Sequence, residues 1–179
     1  MAIRPVLTYP NPVLRERAKE IPSVTQEVTD LVEDMLETME AAKGVGLAAN
    51  QVGVPLRVFV FNPLVQEDAP FQEPMGVVNP RILERSGSIL WEEGCLSFPG
   101  MEATVKRAER IVLDGLNKKG EPLGGIELQG LLAVCVQHEI DHLDGLLFID
   151  HLSRLKREIF LKRYFGQDSK QSQTAKVHT

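Results

Sequence analysis

Apolar residues recur every three or four positions between about Ser23 and Lys43, the period of a helix with one buried face. The residues that carry this pattern are Val28, Leu31, Val32, Met35, Leu36 and Met39. Ser23, with Gln26 three residues later, is typical of a capping box, and Gly44 of a helix stop. The pattern therefore predicts a first amphipathic helix over about residues 23–43.

Two more helices are predicted in the last third of the chain. The second runs from Gly130 to Asp144 and is apolar on most sides, which is typical of a central, buried helix. The third runs from Leu152 to Phe165. Its apolar residues fall on one predicted stripe, formed by Leu152, Leu155, Ile159 and Phe160.

Between the first two helices the pattern changes to short strand-like runs bounded by Pro, Gly and Asn. These runs span about Arg57–Phe61, Gly76–Glu84, Ser88–Trp91, Arg110–Leu116 and Gly125–Gln129. Strands grouped between helices predict an α+β fold with a mostly antiparallel or mixed sheet.

Composition is that of a globular protein. The chain has 179 residues, 43% of them apolar and 25% charged, which is enough for one domain with a sizeable core. Residues 1–165 are the predicted domain, and 166–179 a flexible polar tail. The net charge of −5 argues against nucleic acid as a main partner. The chain start resembles no export signal and no window reaches ~18 consecutive apolar residues, so we expect a cytoplasmic protein without a membrane span.

The predicted second helix carries ionisable residues where burial would cost several kcal/mol unless they are paired or bind a metal. His138 and His142 stand one helical turn apart, so both imidazoles can meet one cation. Glu139 lies beside them, free to transfer protons. This H-E-x-x-H pattern is typical of hydrolases in which a metal acidifies a water and the Glu takes up its proton.

A catalytic site of this kind needs a third protein ligand, for which the sequence offers several candidates. Phe148 stands where a metzincin has its third His, which excludes that class. Glu158 would serve as the distant carboxylate of an endopeptidase. Cys135 lies about 10.5 Å along the helix from His142 and is better interpreted as a core residue. Cys95, in a loop after a predicted strand, is the remaining candidate.

The segment Gly44–Gln51, GVGLAANQ, matches the residue spacing of a dinucleotide-binding pattern but not its structural context. Such a fingerprint follows a strand and opens a helix, whereas this segment follows a helix and leads towards a strand. We interpret it as a loop that approaches a ligand closely.

Three segments together resemble, in order, the signature motifs of the peptide deformylase family. They are Gly44–Gln51, Glu93–Ser97 (EGCLS) and Gln137–Gly145 (QHEIDHLDG), within a resemblance that covers about residues 1–165. The resemblance implies an α+β fold with the HExxH helix packed among small sheets. It also implies a hydrolase that removes the formyl group from the N-terminal formyl-methionine of new bacterial or organellar polypeptides.

The resemblance assigns roles by motif position. Cys95, His138 and His142 would be metal ligands and Glu139 the general acid and base. Gln51 and the backbone N–H of Leu96 would hold the oxygen of the attacked formyl group. The substrate backbone would bond to Val45, Gly46 and Gly94. The expected metal is one Fe²⁺ per chain, which Zn²⁺, Ni²⁺ or Co²⁺ can replace.

Two further features bear on substrate preference and on partners. Glu102 places an acidic residue near the expected cleft mouth, where a basic or neutral one is usual for the family. The basic third helix resembles an extension that some bacterial members dock onto the ribosome. Its basic residues are Arg154, Lys156, Arg157, Lys162 and Arg163.

Two alternatives to the deformylase function are an HExxH endopeptidase and a structural zinc module built from Cys95, Cys135, His138 and His142.

Overall fold

The computed structural model describes residues 1–175, with side chains described through residue 167. Three α-helices are present in this part of the chain: α1 (Gln26–Ala41), α2 (Gly130–Leu143) and α3 (Arg154–Ala175). The strands are β1 (Gly46–Ala48), β2 (Val58–Phe61), β3 (Met75–Ser86), β4 (Ile89–Gly94), β5 (Glu102–Arg107), β6 (Arg110–Leu116) and β7 (Ile126–Gln129). None of the helices described is long and apolar enough to cross a membrane.

The strands form two antiparallel sheets, which confirms the predicted α+β class. The larger sheet has the order β1-β2-β3-β6-β7, and β4 pairs only with β5. Strand β2 is buried on both faces because Phe59 and Phe61 pack towards α2, whereas Val58 and Val60 pack towards α1. The large sheet therefore lies between the two helices, and α2 is central as predicted.

A cluster of mostly buried aromatic side chains holds the loop between β4 and β5 in place. The Phe98 ring, fully buried, contacts the rings of Tyr9, Phe148, Phe160 and Tyr164. Because Phe98 is only three residues beyond Cys95, these ring contacts hold the loop that carries the cysteine.

Gly145 lets α2 end against the N-terminal segment. Its φ is +74°, and a Cβ built on it would lie 2.5 Å from the backbone oxygen of Arg15. Ala18 then donates its N–H to the Leu143 carbonyl at 2.8 Å. A side chain at position 145 would meet both a strained backbone and a rigid neighbour.

The predicted boundaries need correction at both ends of α1. The helix begins at Gln26 after the N-cap Thr25, so Ser23 lies outside it, and the Gln26 amide bonds to Asp30 instead of closing a capping box. At the other end the left-handed residue is Lys43, with φ 55°, and not Gly44.

Strands β1 and β5 were not predicted. Strand β1 has only three residues, too few for an alternating pattern to be seen. In β5 one of the two buried positions is Arg107, so the apolar alternation that marks a half-buried strand is missing.

Helix α3 is longer than predicted and buries only part of the predicted stripe, namely Phe160 and, in part, Leu152. It continues past Phe165 to Ala175, so no helix end marks the predicted domain boundary at 165, and residues 176–179 of the predicted tail lie outside the described residues. Leu155 and Ile159 are 66% and 51% exposed, while Phe160 and Tyr164 are buried. The Tyr164 hydroxyl donates to the Tyr9 carbonyl at 2.8 Å, which sets the rotation of the helix.

Candidate metal centre

The helix α2 and the loop after β4 bring three potential metal ligands together. The Nε2 atoms of His138 and His142 are 3.2 Å apart, and the Cys95 Sγ atom lies 3.4 Å from His142 Nε2. All three ligand atoms lie within 4.8 Å of one another. The helical period alone pairs the histidines, whereas Cys95 reaches them only because the hairpin packs against α2.

The surroundings of these residues fit a divalent cation. Both imidazoles are buried, and among the described residues the Nδ1 atom of His142 has no hydrogen-bond partner. Burial and the neighbouring His138 hold the pKa of His142 well below its ordinary value, so its lone pair is available. A thiolate with two imidazoles is a donor set typical of zinc, iron or nickel and not of magnesium or calcium.

The His138 ring is oriented by the carboxylate of Glu93, a residue for which the sequence motifs predicted no role. Its Nδ1 atom is 2.7 Å from Glu93 Oε1, which directs Nε2 towards Cys95 and His142. Although burial opposes its charge, hydrogen bonds to Cys95 and Glu93 raise the pKa of His138 well above the usual range. A bound cation would take the place of that proton, because both compete for the same lone pair.

Glu93 is itself held by a buried arginine. Arg107 donates from Nε and Nη2 to the two Glu93 oxygens at 2.8 and 2.9 Å, and from Nη1 to Asp141 at 2.5 Å. Burial opposes the charge of Glu93, but Arg107 and His138 together lower the pKa of its carboxyl. The only sequence signal for Glu93 was its place in the EGCLS segment, and a buried arginine leaves no apolar pattern that could have revealed Arg107.

Glu139 occupies a closely packed position beside the three ligands. It is 4% exposed, and its Oε2 atom has no hydrogen-bond partner among the described residues. Burial raises its pKa to about 7, a value at which a carboxyl can both accept and release a proton near neutral pH. A Cβ built on Gly46 would lie 2.5 Å from Glu139 Oε1, so only glycine fits there.

Gln51 and Leu96 present hydrogen-bond donors next to Cys95. Gln51 lies in a buried 3-10 helix, Ala49–Val52, and its Oε1 atom accepts from the Ala48 N–H at 2.9 Å. Its Nε2 atom is 3.0 Å from Ser97 Oγ and 3.6 Å from Cys95 Sγ. No acceptor within the described part of the chain takes the Leu96 N–H.

Apart from His142, which lies behind His138 in the ligand group, the residues predicted for the site line one cleft, including Val45, Gly46 and Gly94. Two residues of the alternative hypotheses are not in the group of potential ligands found among the described residues. Glu158 is on α3 and pairs with Arg154 at 3.0 Å, with 61% of its side chain exposed. The other is Cys135, and burial raises the pKa of its thiol well above the ordinary value. This arrangement favours neither the endopeptidase nor the four-ligand zinc module.

Comparison with known proteins agrees, over most of the chain, with the family resemblance found in the sequence. Residues 3–158 match the family model described as polypeptide deformylase. The peptide deformylase of Alkalilimnicola ehrlichii is 52% identical over 158 residues, covering 88% of this chain and 86% of that one. The peptide deformylase of Aquifex aeolicus is 42% identical over 162 residues, covering 90% and 95%. Among solved structures, that of the Legionella pneumophila peptide deformylase has a TM-score of 0.86 and 42% identity, covering 96% of this chain and 98% of its own.

Proposed function

The chain belongs to the polypeptide deformylase family, metal-dependent enzymes that remove the N-terminal formyl group from nascent peptides, and from that premise we propose which of its residues do so. The main support for the proposal is that Cys95, His138 and His142 converge on one another at the cleft that Cys95, His138 and Glu139 line.

Cys95, His138 and His142 hold one metal ion per chain, which we propose to be Fe²⁺, with Zn²⁺, Ni²⁺ or Co²⁺ as replacements. An ion bound there would supply a Lewis acid for the attacking water and the formyl carbonyl. Glu93 keeps the His138 ring in place, and Arg107 keeps Glu93 in place, so the ligand set is already arranged before an ion binds.

Glu139 moves the proton. It accepts one from the attacking water as the C–O bond forms, and donates it to the amine nitrogen as the C–N bond breaks, releasing formate and the free amine. Its burial supports this role, because a pKa near 7 matches both halves of the transfer.

Gln51 and the Leu96 N–H bind the formyl oxygen, on which negative charge builds during attack. The contact of Gln51 with Ala48 fixes which end of the amide is the donor. Two such preorganised donors contribute on the order of 3 kcal/mol each in comparable enzymes. Neither adds charge next to the thiolate.

The peptide backbone after the formyl group bonds to Val45, Gly46 and Gly94, which leave room for an extended chain to approach. The methionine side chain enters the apolar part of the cleft along α2, where Val134 and Cys135 line it. An apolar pocket of this kind accepts a thioether and excludes a charged side chain.

We propose that the enzyme works in the bacterial cytoplasm, where formylated chains leave the ribosome. Residues 1–165 form the catalytic domain and contain every residue to which a role is assigned above. The exposed basic residues of α3 would bind the ribosome; Lys156, Lys162 and Arg163 make no salt bridge to a described residue. Reversing these charges should weaken ribosome binding without changing turnover of a small peptide.

The deciding assay compares formyl-Met-Ala, acetyl-Met-Ala and an internal peptide bond under matched metal loading. Formate release from the first is expected, with the acetyl peptide spared, because its methyl group would clash where the formyl carbon carries only hydrogen. Comparable cleavage of an internal bond would instead favour an endopeptidase.

A further inference from the structure

The β4–β5 hairpin forms a charged wall at the outer part of the substrate cleft. Its register places Glu102 directly opposite Gly94 and Thr104 opposite Glu92. Glu92, Gly94 and Glu102 therefore share one face of the hairpin, and all three line the cleft. A Cβ built on Gly94 would lie 3.8 Å from Glu102 Cγ, so the Glu102 side chain extends over the space that the glycine leaves open.

The two carboxylates form no salt bridge with a cationic side chain of the described residues. Neither Glu92 nor Glu102 forms a salt bridge with a described residue, although Lys156 and Arg163 line the same cleft. The Glu92 carboxyl hydrogen-bonds that of Glu102 and, with its negative charge, raises the pKa of Glu102. Two carboxyl groups in contact are stabilised by a positive charge brought to them from outside.

That this cleft accepts a ligand is indicated independently by Glu139. Its buried Oε2 atom has no partner among the described residues, and Glu139 lines the same cleft as Glu102. A peptide bound along Gly94 would carry the residues that follow methionine past the carboxylate opposite that glycine.

We propose that Glu102 is a specificity-determining residue, which favours formylated peptides with a lysine or arginine among the two residues after methionine. The proposal rests on the proposed function, since it needs the substrate to lie along Gly94. The exposed Glu102 carboxylate would attract a substrate lysine and repel a substrate glutamate. The difference predicts a kcat/KM about fivefold to tenfold higher for the Lys peptide than for the Glu peptide at low salt.

The test measures formate release from formyl-Met-Lys-Ala, formyl-Met-Ala-Lys and their Glu counterparts, with formyl-Met-Ala-Ala as the neutral reference. The wild type is compared with Glu102→Gln and Glu102→Arg at equal metal content. Glu127→Gln is the matched control, because Glu127 is an acidic residue of β7 outside this cleft. We expect the preference to fall towards one in Glu102→Gln, to reverse in Glu102→Arg and to persist in the control. It should also weaken between about 20 mM and about 500 mM salt, because exposed charges are screened.

A wild-type ratio near one, or a preference for Glu, would overturn the proposal, as would an unchanged ratio in both Glu102 variants. Failure of the metal-loaded wild type to release formate from formyl-Met-Ala-Ala would overturn the proposed function and the specificity with it. Normal turnover of that neutral peptide by Glu102→Gln is expected and separates the two results.

Discussion

Replacing Gly46 with alanine tests whether the position of Glu139 governs turnover. The added Cβ would lie 2.5 Å from Glu139 Oε1 and 2.9 Å from Cys135 Sγ. Contacts of a real Cβ become ordinary at 3.4 Å, so the carboxylate must move by about 0.9 Å, the difference between 3.4 and 2.5 Å. Glu139 is buried on a rigid helix, and the displacement falls on the group that transfers the proton.

A displacement of about 1 Å at a reacting group costs on the order of 100-fold in rate. We therefore expect kcat/KM for formyl-Met-Ala to fall about 100-fold in Gly46→Ala. Metal content should stay near that of the wild type, because the three atoms nearest to the added methyl group belong to Glu139 and Cys135 and none belongs to a metal ligand. The assay is formate release on protein whose metal content and thermal unfolding have been measured in parallel.

A second variant identifies which contact causes the loss. In Gly46→Ala/Cys135→Ala the conflict with Sγ is removed, while that with Glu139 Oε1 remains, so activity should stay low. Recovery to within about threefold of the Cys135→Ala single variant would show that sulfur, and not the carboxylate, is displaced. Activity of a folded Gly46→Ala variant within twofold of the wild type would refute the reasoning altogether.

Three further results are expected. Glu139→Ala should keep its metal and lose about 100-fold to 10,000-fold in turnover, whereas Cys95→Ala should lose the metal and the activity. Metal analysis and the formate assay on the same samples check this. An active Glu139→Ala variant would contradict the mechanism. Gly145→Ala should lower the free energy of unfolding, measured in urea, by about 2 kcal/mol or more, because the alanine would have a left-handed backbone and its Cβ would contact Arg15. A decrease below about 0.5 kcal/mol would contradict this prediction. The iron-loaded enzyme should lose activity in air while the nickel-loaded enzyme keeps it, since an ion held by only three protein ligands would be accessible to O₂. Equal survival of the two forms would argue against an accessible iron site.

The sequence alone determined the parts of the site that depend on local geometry. His138 and His142 meet because four residues make one helical turn, and the apolar residues around them already required α2 to be buried. The boundaries of β6 (Arg110–Leu116) matched the prediction, and buried positions alternate along it in the structure. Local pattern also separated Gly44–Gln51 from a nucleotide-binding loop, since the order of elements around it was wrong.

Only the tertiary structure decided which distant residues join that helix. Cys95 is 43 residues from His138 along the chain, so no period could relate them, and its approach depends on how the hairpin packs. The same holds for Arg107, whose charge is stabilised by Glu93 and Asp141 from two other segments. Helix α3 shows the reverse case, because its contacts through Phe160 and Tyr164 leave two residues of its predicted apolar stripe, Leu155 and Ile159, exposed. A helical period fixes neighbours within one element, whereas contacts between elements depend on packing that is cooperative over the whole core.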